Sequence, residues 1–98
     1  MAVELILAAE AEQDVDEASW YEGRRSGLGE DFLSRVDACL QAICRTPKMH
    51  RMAHKQYRRG LVRQFPYAIF YEYSQSTVTV YAVMHTARDP EKWRERLP

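Results

Sequence analysis

The stretch from Tyr57 to Trp93, YRRGLVRQFPYAIFYEYSQSTVTVYAVMHTARDPEKW, decides the fold of this chain. It holds three segments rich in Val, Ile, Tyr and Phe, which are separated by Phe65-Pro66 and by the polar run 74–77. Branched and aromatic residues favour strands, whereas proline cannot donate to a sheet ladder. The stretch therefore predicts an antiparallel meander, with strands at roughly 57–64, 67–73 and 78–85.

The middle strand of this meander is apolar on both of its faces. Alternate residues of a strand point to opposite faces of a sheet. The two faces consist of Tyr67, Ile69, Tyr71 and Tyr73 on one side and Ala68 and Phe70 on the other. A strand that is apolar on both sides is typical of the centre of a sheet.

The segments around the meander predict helices and one further strand. Residues 2–7 form a short strand candidate, apolar enough to be buried on both faces. Apolar residues at spacings of three and four predict helices over 8–25 and 30–45, and the linker 26–29 makes them a hairpin. Residues 47–56 show no clear period and predict a loop. Asp89-Pro90 is a favourable helix start and leads a short helix through Arg96. The fold class is therefore α+β, with the hairpin packed on a mostly antiparallel four-stranded sheet.

Composition indicates one globular domain over residues 1–98. Hydrophobic residues make up 46% and charged residues 29% of the 98 positions, which is ordinary for a folded domain. No apolar run reaches the roughly 18 residues that span a bilayer, and the first seven residues lack the pattern of a signal peptide. Cys39 and Cys44 do not make a disulfide framework. These features predict a cytoplasmic protein in a reducing compartment.

The zero net charge conceals a strong asymmetry along the chain. Residues 1–40 hold ten acids against three arginines, a balance of −7, whereas residues 41–98 hold eleven Lys and Arg against four acids, a balance of +7. Such a split favours a polyanion or an acidic partner for the basic half. The alternative is that the acidic helix faces only keep a small domain in solution.

Two classes of chemistry receive little support from the sequence. A zinc site needs four ligands, or three and a water, and the nearest set is Cys44, His50 and His54. One of these lies on a helix face expected to be buried, so the histidines are interpreted as solvated loop residues. No metal or other cofactor is expected.

Hydrolase motifs are absent, because no phosphate-binding glycine loop or activated Ser or Cys is present and the glutamates fall on predicted solvent faces.

The Arg, Tyr and His residues of the meander are the candidate reaction centre. RNA cleavage by 2′-hydroxyl attack needs a base, a cation for the phosphorane and an acid for the leaving oxygen. His85 suits the acid or base, Arg63 and Arg88 suit the phosphate clamp, and Tyr71 or Tyr81 suits a hydroxyl donor. The alternative is structural, with His85 ending a strand and bonding the next turn and Arg88 pairing with Asp89 or a carbonyl. Trp20 and Trp93 are expected to cover the core or its edge.

The chain resembles the RelE/ParE superfamily of type II toxin–antitoxin toxins. The resemblance covers essentially the whole chain, and its most specific parts are RQFPYAIFY (63–71) and HTARDPEKW (85–93). These parts are similar to the ParE, or plasmid-stabilisation, branch. The linker at Gly27-Leu28-Gly29 before Phe32 also fits the superfamily.

The two branches of the superfamily imply different functions. RelE-like members are ribosome-dependent messenger RNA endonucleases, which commonly carry an arginine where this chain has Ala68. ParE-like members poison DNA gyrase by binding and carry no such catalytic set. Loss of a positioned acid–base group costs about 10² to 10⁴ in rate. The resemblance therefore favours a gyrase-binding toxin without catalytic residues, and leaves as alternative a ribonuclease that uses Arg63, His85, Arg88 and Tyr71 on the ribosome and its mRNA. Expected target-binding residues are Arg58, Arg59, Arg63, His85, Arg88 and Trp93.

The resemblance also implies a partner that both branches share. A cognate antitoxin would wrap an extended or helical C-terminal segment over the toxin, and operator DNA would be bound only through the antitoxin. No membrane association is expected. A third possibility is a degenerate member that has lost toxicity and persists as an interaction module.

Overall fold

The computed structural model describes residues 2–98 and shows an α+β architecture. The elements follow the order β1 (Glu4–Leu7), α1 (Ala9–Ser26), α2 (Gly29–Arg45), β2 (Arg51–His54), β3 (Tyr57–Leu61), β4 (Tyr67–Ser74), β5 (Thr77–His85) and α3 (Pro90–Arg94). The sheet order is β1-β5-β4-β3-β2. Within residues 2–98 only the β1–β5 pair is parallel, and the other three pairs are antiparallel. The predicted fold class and the central place of β4 are confirmed.

The main core lies between the helical hairpin and one face of the sheet. Phe32 and Ile43 of α2 are fully buried there, against Tyr71 and Ile69 of β4. The two helices approach closely at their crossing, because a Cβ built on Gly29 would lie 3.0 Å from the Ser19 carbonyl oxygen. Gly27 ends α1 in the left-handed region with φ of 74°, a conformation that glycine adopts without steric cost.

The other face of the sheet carries a smaller core that α3 covers. Ala68, Phe70, Ala82 and Met84 form it. Trp93 stacks on Phe70 with ring centroids 4.5 Å apart and an interplanar angle of 14°. The Asp89 side chain caps α3 by accepting from the Glu91 N–H, and Pro90 occupies the first turn. The predicted start of this helix and the covering role of Trp93 are therefore confirmed.

The prediction of a loop over 47–56 and of four strands was wrong. Residues Arg51–His54 form β2, an edge strand paired with β3, so the sheet in the described part of the chain has five strands. The strand is only four residues long and its ladder shifts between Met52 and His54. Such a short, irregular edge gives no period-2 signal in sequence. His50 and His54 are half-buried, not solvated.

Other predictions about burial were also wrong. β1, predicted to be buried on both faces, is an edge strand in which Leu5 and Ile6 are 39% and 45% exposed. Trp20, expected to cover the core or its edge, is 65% exposed on α1. The glutamates were placed on solvent faces, but Glu22, which with Tyr21 was an alternative end of the apolar stripe of α1, is buried at 4%. The apolar stripe of α1 therefore continues through Glu22 and leaves Tyr21 half exposed.

Candidate functional site

A cleft opens between α1 and the end of β5, where His85 and Arg88 lie. Its volume is about 360 Å³. β1 pairs with β5 only as far as Val80, so the remainder of that strand faces α1 directly. The lining residues combine two acids, two tyrosines, a histidine and an arginine with apolar groups, and they are Asp14, Glu17, Ala18, Tyr21, Tyr67, Val83, Met84, His85 and Arg88.

His85 is exposed at the mouth of this cleft, and the following turn orients its ring. The Ala87 N–H donates to His85 Nδ1 at 3.0 Å. Because Nδ1 is an acceptor, the neutral ring carries its proton on Nε2. The Arg88 N–H donates to the His85 carbonyl at 3.0 Å, and the Arg88 side chain is exposed. The neutral His85 ring therefore has an Nε2–H donor that is not used by the turn, and Arg88 lines the same cleft.

Tyr67 forms the inner wall of the cleft. Its ring lies 5.3 Å from that of His85 in an edge-on arrangement, and its hydroxyl donates to Glu22 Oε2 at 3.4 Å. Burial raises the pKa of Tyr67, and the Glu22 carboxylate raises it further. Arg25 lies 3.8 Å from the other carboxylate oxygen. Tyr67 is therefore a neutral phenol bonded to a buried carboxylate, and not a proton acceptor for a substrate.

Tyr71 and Arg58, two other predicted site residues, lie away from the cleft and make structural contacts. The Tyr71 hydroxyl donates to the Pro47 carbonyl at 2.6 Å. Burial raises the pKa of Tyr71 to about 12. Arg58 donates to the His50 carbonyl at 2.8 Å. Both side chains thus fix the segment between α2 and β2. Tyr81, the alternative hydroxyl donor, donates to Glu72 at 3.3 Å.

The remaining predicted residues are dispersed over two further places. Arg63 lines a separate groove between α2 and β3. Arg59 is paired with Phe70 in the β3–β4 ladder, so it shares the face on which Trp93 stacks. Ala68, at 1% exposure, is buried on that same face, among Phe70, Ala82 and Met84. Of the residues that sequence proposed, only His85 and Arg88 therefore meet in one cleft.

Sequence reasoning missed the side chains that α1 contributes to the cleft. Asp14, Glu17 and Tyr21 recur at spacings of three and four, which is the signal of one helix face. The acids of α1, among them Asp14 and Glu17, were interpreted as the side of the helix opposite its apolar residues. Within residues 2–98 no three His, Cys, Asp or Glu side chains are placed to hold a metal ion.

Comparison with known proteins identifies the family. The sequence model of the ParE toxin of the type II toxin–antitoxin system parDE matches residues 5–90. The chain belongs to the ParE toxin family. This member is accordingly a toxin of a type II toxin–antitoxin system within the RelE/ParE superfamily. No curated protein sequence matches it significantly.

Solved structures of low sequence identity share the fold of this ParE-family chain. A chain of the chromosomal ParDE toxin–antitoxin system from P. aeruginosa superposes with a TM-score of 0.72 at 10% identity, over 86% of this chain and 96% of that one. The RelBE2 toxin–antitoxin complex from Mycobacterium tuberculosis gives 0.61 at 14% identity, over 90% and 95%. The isolated E. coli RelE toxin gives 0.61 at 15% identity, over 96% and 95%. Both branches of the superfamily therefore share the architecture described above.

None of the helices within residues 2–98 has the length and apolar character needed to cross a membrane.

Proposed function

We propose that this ParE-family chain inhibits DNA gyrase by binding it, and that a cognate antitoxin neutralises it. The single observation that carries the binding mechanism is the dispersal of the candidate catalytic residues. Arg63 and Tyr71 lie outside the cleft that holds His85 and Arg88, and the Tyr71 hydroxyl already donates to Pro47. Of the four candidate catalytic residues, the cleft therefore holds only the exposed His85 and Arg88.

The position of Ala68 supports the same proposal. The resemblance implies that ribonucleases of the superfamily carry an arginine at this point of the middle strand. Here the residue is alanine at 1% exposure, within the apolar core that α3 covers. Loss of a charge-stabilising donor costs about 10² to 10³ in rate. A chain without that guanidinium is therefore better suited to docking than to phosphate chemistry.

The cleft and the adjoining surface of α1 have the composition of a docking surface. Trp20 and Tyr21 are 65% and 51% exposed on α1, and Tyr21 lines the cleft together with His85 and Arg88. Aromatic and arginine side chains are enriched in the residues that dominate binding energy at protein interfaces. We therefore assign His85 and Arg88, with Trp20 and Tyr21 beside them, to the gyrase-binding surface.

The antitoxin partner is supported by the neighbours in structure. The P. aeruginosa and M. tuberculosis structures are of toxin–antitoxin systems. In our proposal the antitoxin, and not this chain, supplies the contacts to operator DNA. The cytoplasm, where gyrase acts, is the proposed location.

A ribosome-dependent messenger RNA endonuclease is the second candidate. It is favoured by one observation, namely that His85, Arg88 and the Tyr67 ring line the same cleft. His85 would then act as the general acid or base, and Arg88 would clamp the phosphate. The Tyr67 hydroxyl contributes little to this chemistry because it already donates to Glu22.

Induction of the toxin in growing cells without antitoxin separates the two candidates. Gyrase inhibition predicts plasmid that loses negative supercoils while messenger 5′ ends, mapped by primer extension, stay unchanged. Ribonuclease activity predicts new 5′ ends within translated messengers and normal plasmid topology. Unimpaired growth at confirmed expression would contradict both and indicate a member that has lost toxicity.

A further inference from the structure

His85, the exposed histidine of the proposed gyrase-binding surface, lies directly opposite Tyr67 in the β4–β5 ladder. The two rings meet edge-on, with centroids 5.3 Å apart and an interplanar angle of 71°. Tyr67 is buried, whereas the His85 side chain is open to solvent. A buried ring therefore contacts one side of a residue that is assigned to the target surface.

Two contacts from the helical hairpin fix the Tyr67 ring. The Phe32 ring of α2 lies edge-on to it with centroids 4.8 Å apart, and Glu22 of α1 accepts from the Tyr67 hydroxyl at 3.4 Å. Phe32 and Glu22 are both buried. Side chains that are close-packed in a core occupy defined rotamers. The Tyr67 ring is therefore a rigid support for the imidazole that it contacts.

The backbone on both sides of this pair of rings is also fixed. The Thr86 N–H donates to the Pro66 carbonyl at 2.7 Å, and the Tyr67 N–H donates to the Phe65 carbonyl at 2.7 Å. The turn after β5 is therefore attached to the turn before β4. This attachment brings together the segments 63–71 and 85–93, which carry the resemblance to the family in the sequence.

The turn by itself restrains the His85 ring only weakly. The Ala87 N–H donates to His85 Nδ1, but such a bond at an exposed site contributes little, because water replaces either partner. A side chain that moves freely has to be ordered when it binds, and this ordering lowers affinity. Edge-on aromatic contacts add stabilisation beyond the area that they bury. The contact with Tyr67 therefore supplies the restraint that the turn lacks.

We infer that Tyr67 is a positioning residue, whose ring holds the His85 imidazole in the orientation in which its Nε2–H donor binds gyrase. The inference rests on the proposed gyrase-binding surface and deepens it, because it states how a buried residue acts on the target through an exposed one. The role belongs to the ring, since the hydroxyl already donates to Glu22. The group that His85 recognises on gyrase is an oxygen acceptor, because a neutral imidazole offers it one N–H.

Inhibition of supercoiling by purified gyrase measures the effect on binding. Tyr67→Leu removes the ring and should raise the concentration for half-inhibition by about 3- to 10-fold, the cost of ordering one side chain on binding. Tyr67→Phe keeps the ring and should stay within about twofold of the wild type. Tyr57→Leu is the matched control, because it shortens another buried tyrosine of the sheet, on β3, and it should inhibit like the wild type.

A double-mutant cycle separates positioning from a general loss of packing. If Tyr67 acts through His85, Tyr67→Leu should add less than about twofold in a toxin that already carries His85→Ala. Equal effects of Tyr67→Leu in the two backgrounds would overturn the inference, because Tyr67 would then act independently of the imidazole.

Nuclear magnetic resonance of the toxin alone, recorded at about pH 8, reports the state of the His85 ring without gyrase. In the wild type the ring-nitrogen shifts should show the Nε2–H tautomer, as the bond from Ala87 requires. Tyr67→Phe should keep this tautomer, whereas Tyr67→Leu should give a mixture of the two. Tyr67→Met, whose flexible side chain fills more of the space, replaces Tyr67→Leu if that variant does not fold.

The two measurements keep this inference separate from the proposed function. A wild type that does not inhibit gyrase would refute the proposed function and, with it, the binding role of Tyr67. A wild type that inhibits gyrase, with His85 tautomers unchanged by Tyr67→Leu, would overturn only the positioning role. Mixed tautomers in the wild type would also overturn it, whichever variants fold.

Discussion

Arg96 and Asp14 form a bidentate ion pair that joins the C-terminal residues to helix α1. Two guanidinium nitrogens lie 2.8 and 2.9 Å from the two carboxylate oxygens. Asp14 Oδ2 also accepts from the Val83 N–H at 3.0 Å, and Arg96 donates to the Tyr81 carbonyl at 3.3 Å. β1 pairs with β5 only up to Val80. The two side chains therefore provide hydrogen-bond partners for the Val83 N–H and the Tyr81 carbonyl on the unpaired edge of β5, beside the proposed gyrase-binding cleft.

We expect Asp14→Ala to lower the free energy of unfolding by about 2–3 kcal/mol, because it leaves the Val83 N–H without its acceptor and removes both guanidinium–carboxylate bonds of Arg96. Urea denaturation monitored by circular dichroism measures the change. Glu10→Ala is the matched control, since Glu10 contacts the same arginine at 3.2 Å but its side chain is 71% exposed. It should cost less than about 0.5 kcal/mol. Equal losses for the two variants would contradict this account of β5.

The helix crossing gives a second prediction about stability. Gly29→Ala brings a Cβ to 3.0 Å from the Ser19 carbonyl oxygen, so it should destabilise the fold by about 1–3 kcal/mol. Gly23→Ala, at the same crossing, meets nothing closer than 3.8 Å. Because alanine is the better helix former, that variant should be neutral or stabilising by up to about 1 kcal/mol. The two melting temperatures, compared with the wild type, test the prediction, and a stabilising Gly29→Ala would refute it.

Buried weak acids predict a loss of stability at alkaline pH. Burial raises the pKa of Cys39 from 9.0 to about 11 and that of Tyr71 from 10.0 to about 12. Each group keeps its proton in the fold at a pH where the unfolded chain loses it, so the free energy of unfolding falls as pH rises. The decrease should begin near pH 9 and continue to about pH 12. Tyr57, Tyr67 and Tyr81 act in the same direction, because burial raises the pKa of each.

Cys39→Ala isolates one part of this alkaline effect. Urea unfolding of the variant should show a smaller decrease in stability between pH 9 and 11 than the wild type. Its stability at pH 7 should be lower, because a buried side chain is shortened. If the variant and wild-type curves run parallel above pH 9, the thiol does not contribute as described.

The proposed gyrase-binding surface predicts which substitutions weaken the inhibition of gyrase. His85→Ala and Arg88→Ala should each raise the concentration for half-inhibition of supercoiling by about 5- to 30-fold, the usual effect of a central interface residue. Both side chains are exposed, so the free energy of unfolding should fall by less than about 1 kcal/mol. Arg51→Ala, on the exposed edge strand β2, is the control and should inhibit like the wild type. Full inhibition by a His85→Ala/Arg88→Ala variant would remove these residues from the surface.

The sequence predicted the long periodic elements and failed where local signals were short or mixed. The alternation from Tyr67 to Tyr73 predicts the two-faced β4, and Asp89-Pro90 predicts the start of α3, because each pattern has a direct local cause. The strand Arg51–His54 was missed, since four residues paired with β3 along an irregular ladder carry no usable period. Its partner β3 begins after only two intervening residues, and the turn at Lys55 and Gln56, with φ of 52° at Lys55, carries no glycine, asparagine or proline that would signal a hairpin.

The candidate site was predictable only in part. The sequence indicates where the strands lie along the chain, but not which side chains come together once the strands and helices pack. Arg63, His85, Arg88 and Tyr71 all lie in or beside the meander, yet the sheet places them in different surroundings. Trp20 is exposed and Glu22 is buried, since two positions along a helix turn the side-chain direction by about 200°. Helix orientation, and not composition, decided which residue entered the core.

The most direct test of the binding mechanism measures supercoiling by purified DNA gyrase in the presence of this toxin, with ribosome-bound messenger assayed in parallel. The account predicts that the toxin inhibits supercoiling in a dose-dependent way, that added antitoxin restores it, and that the messenger stays intact. Cleavage of ribosome-bound messenger with gyrase activity unchanged would contradict it, because the single histidine and arginine of the cleft would then be cutting RNA.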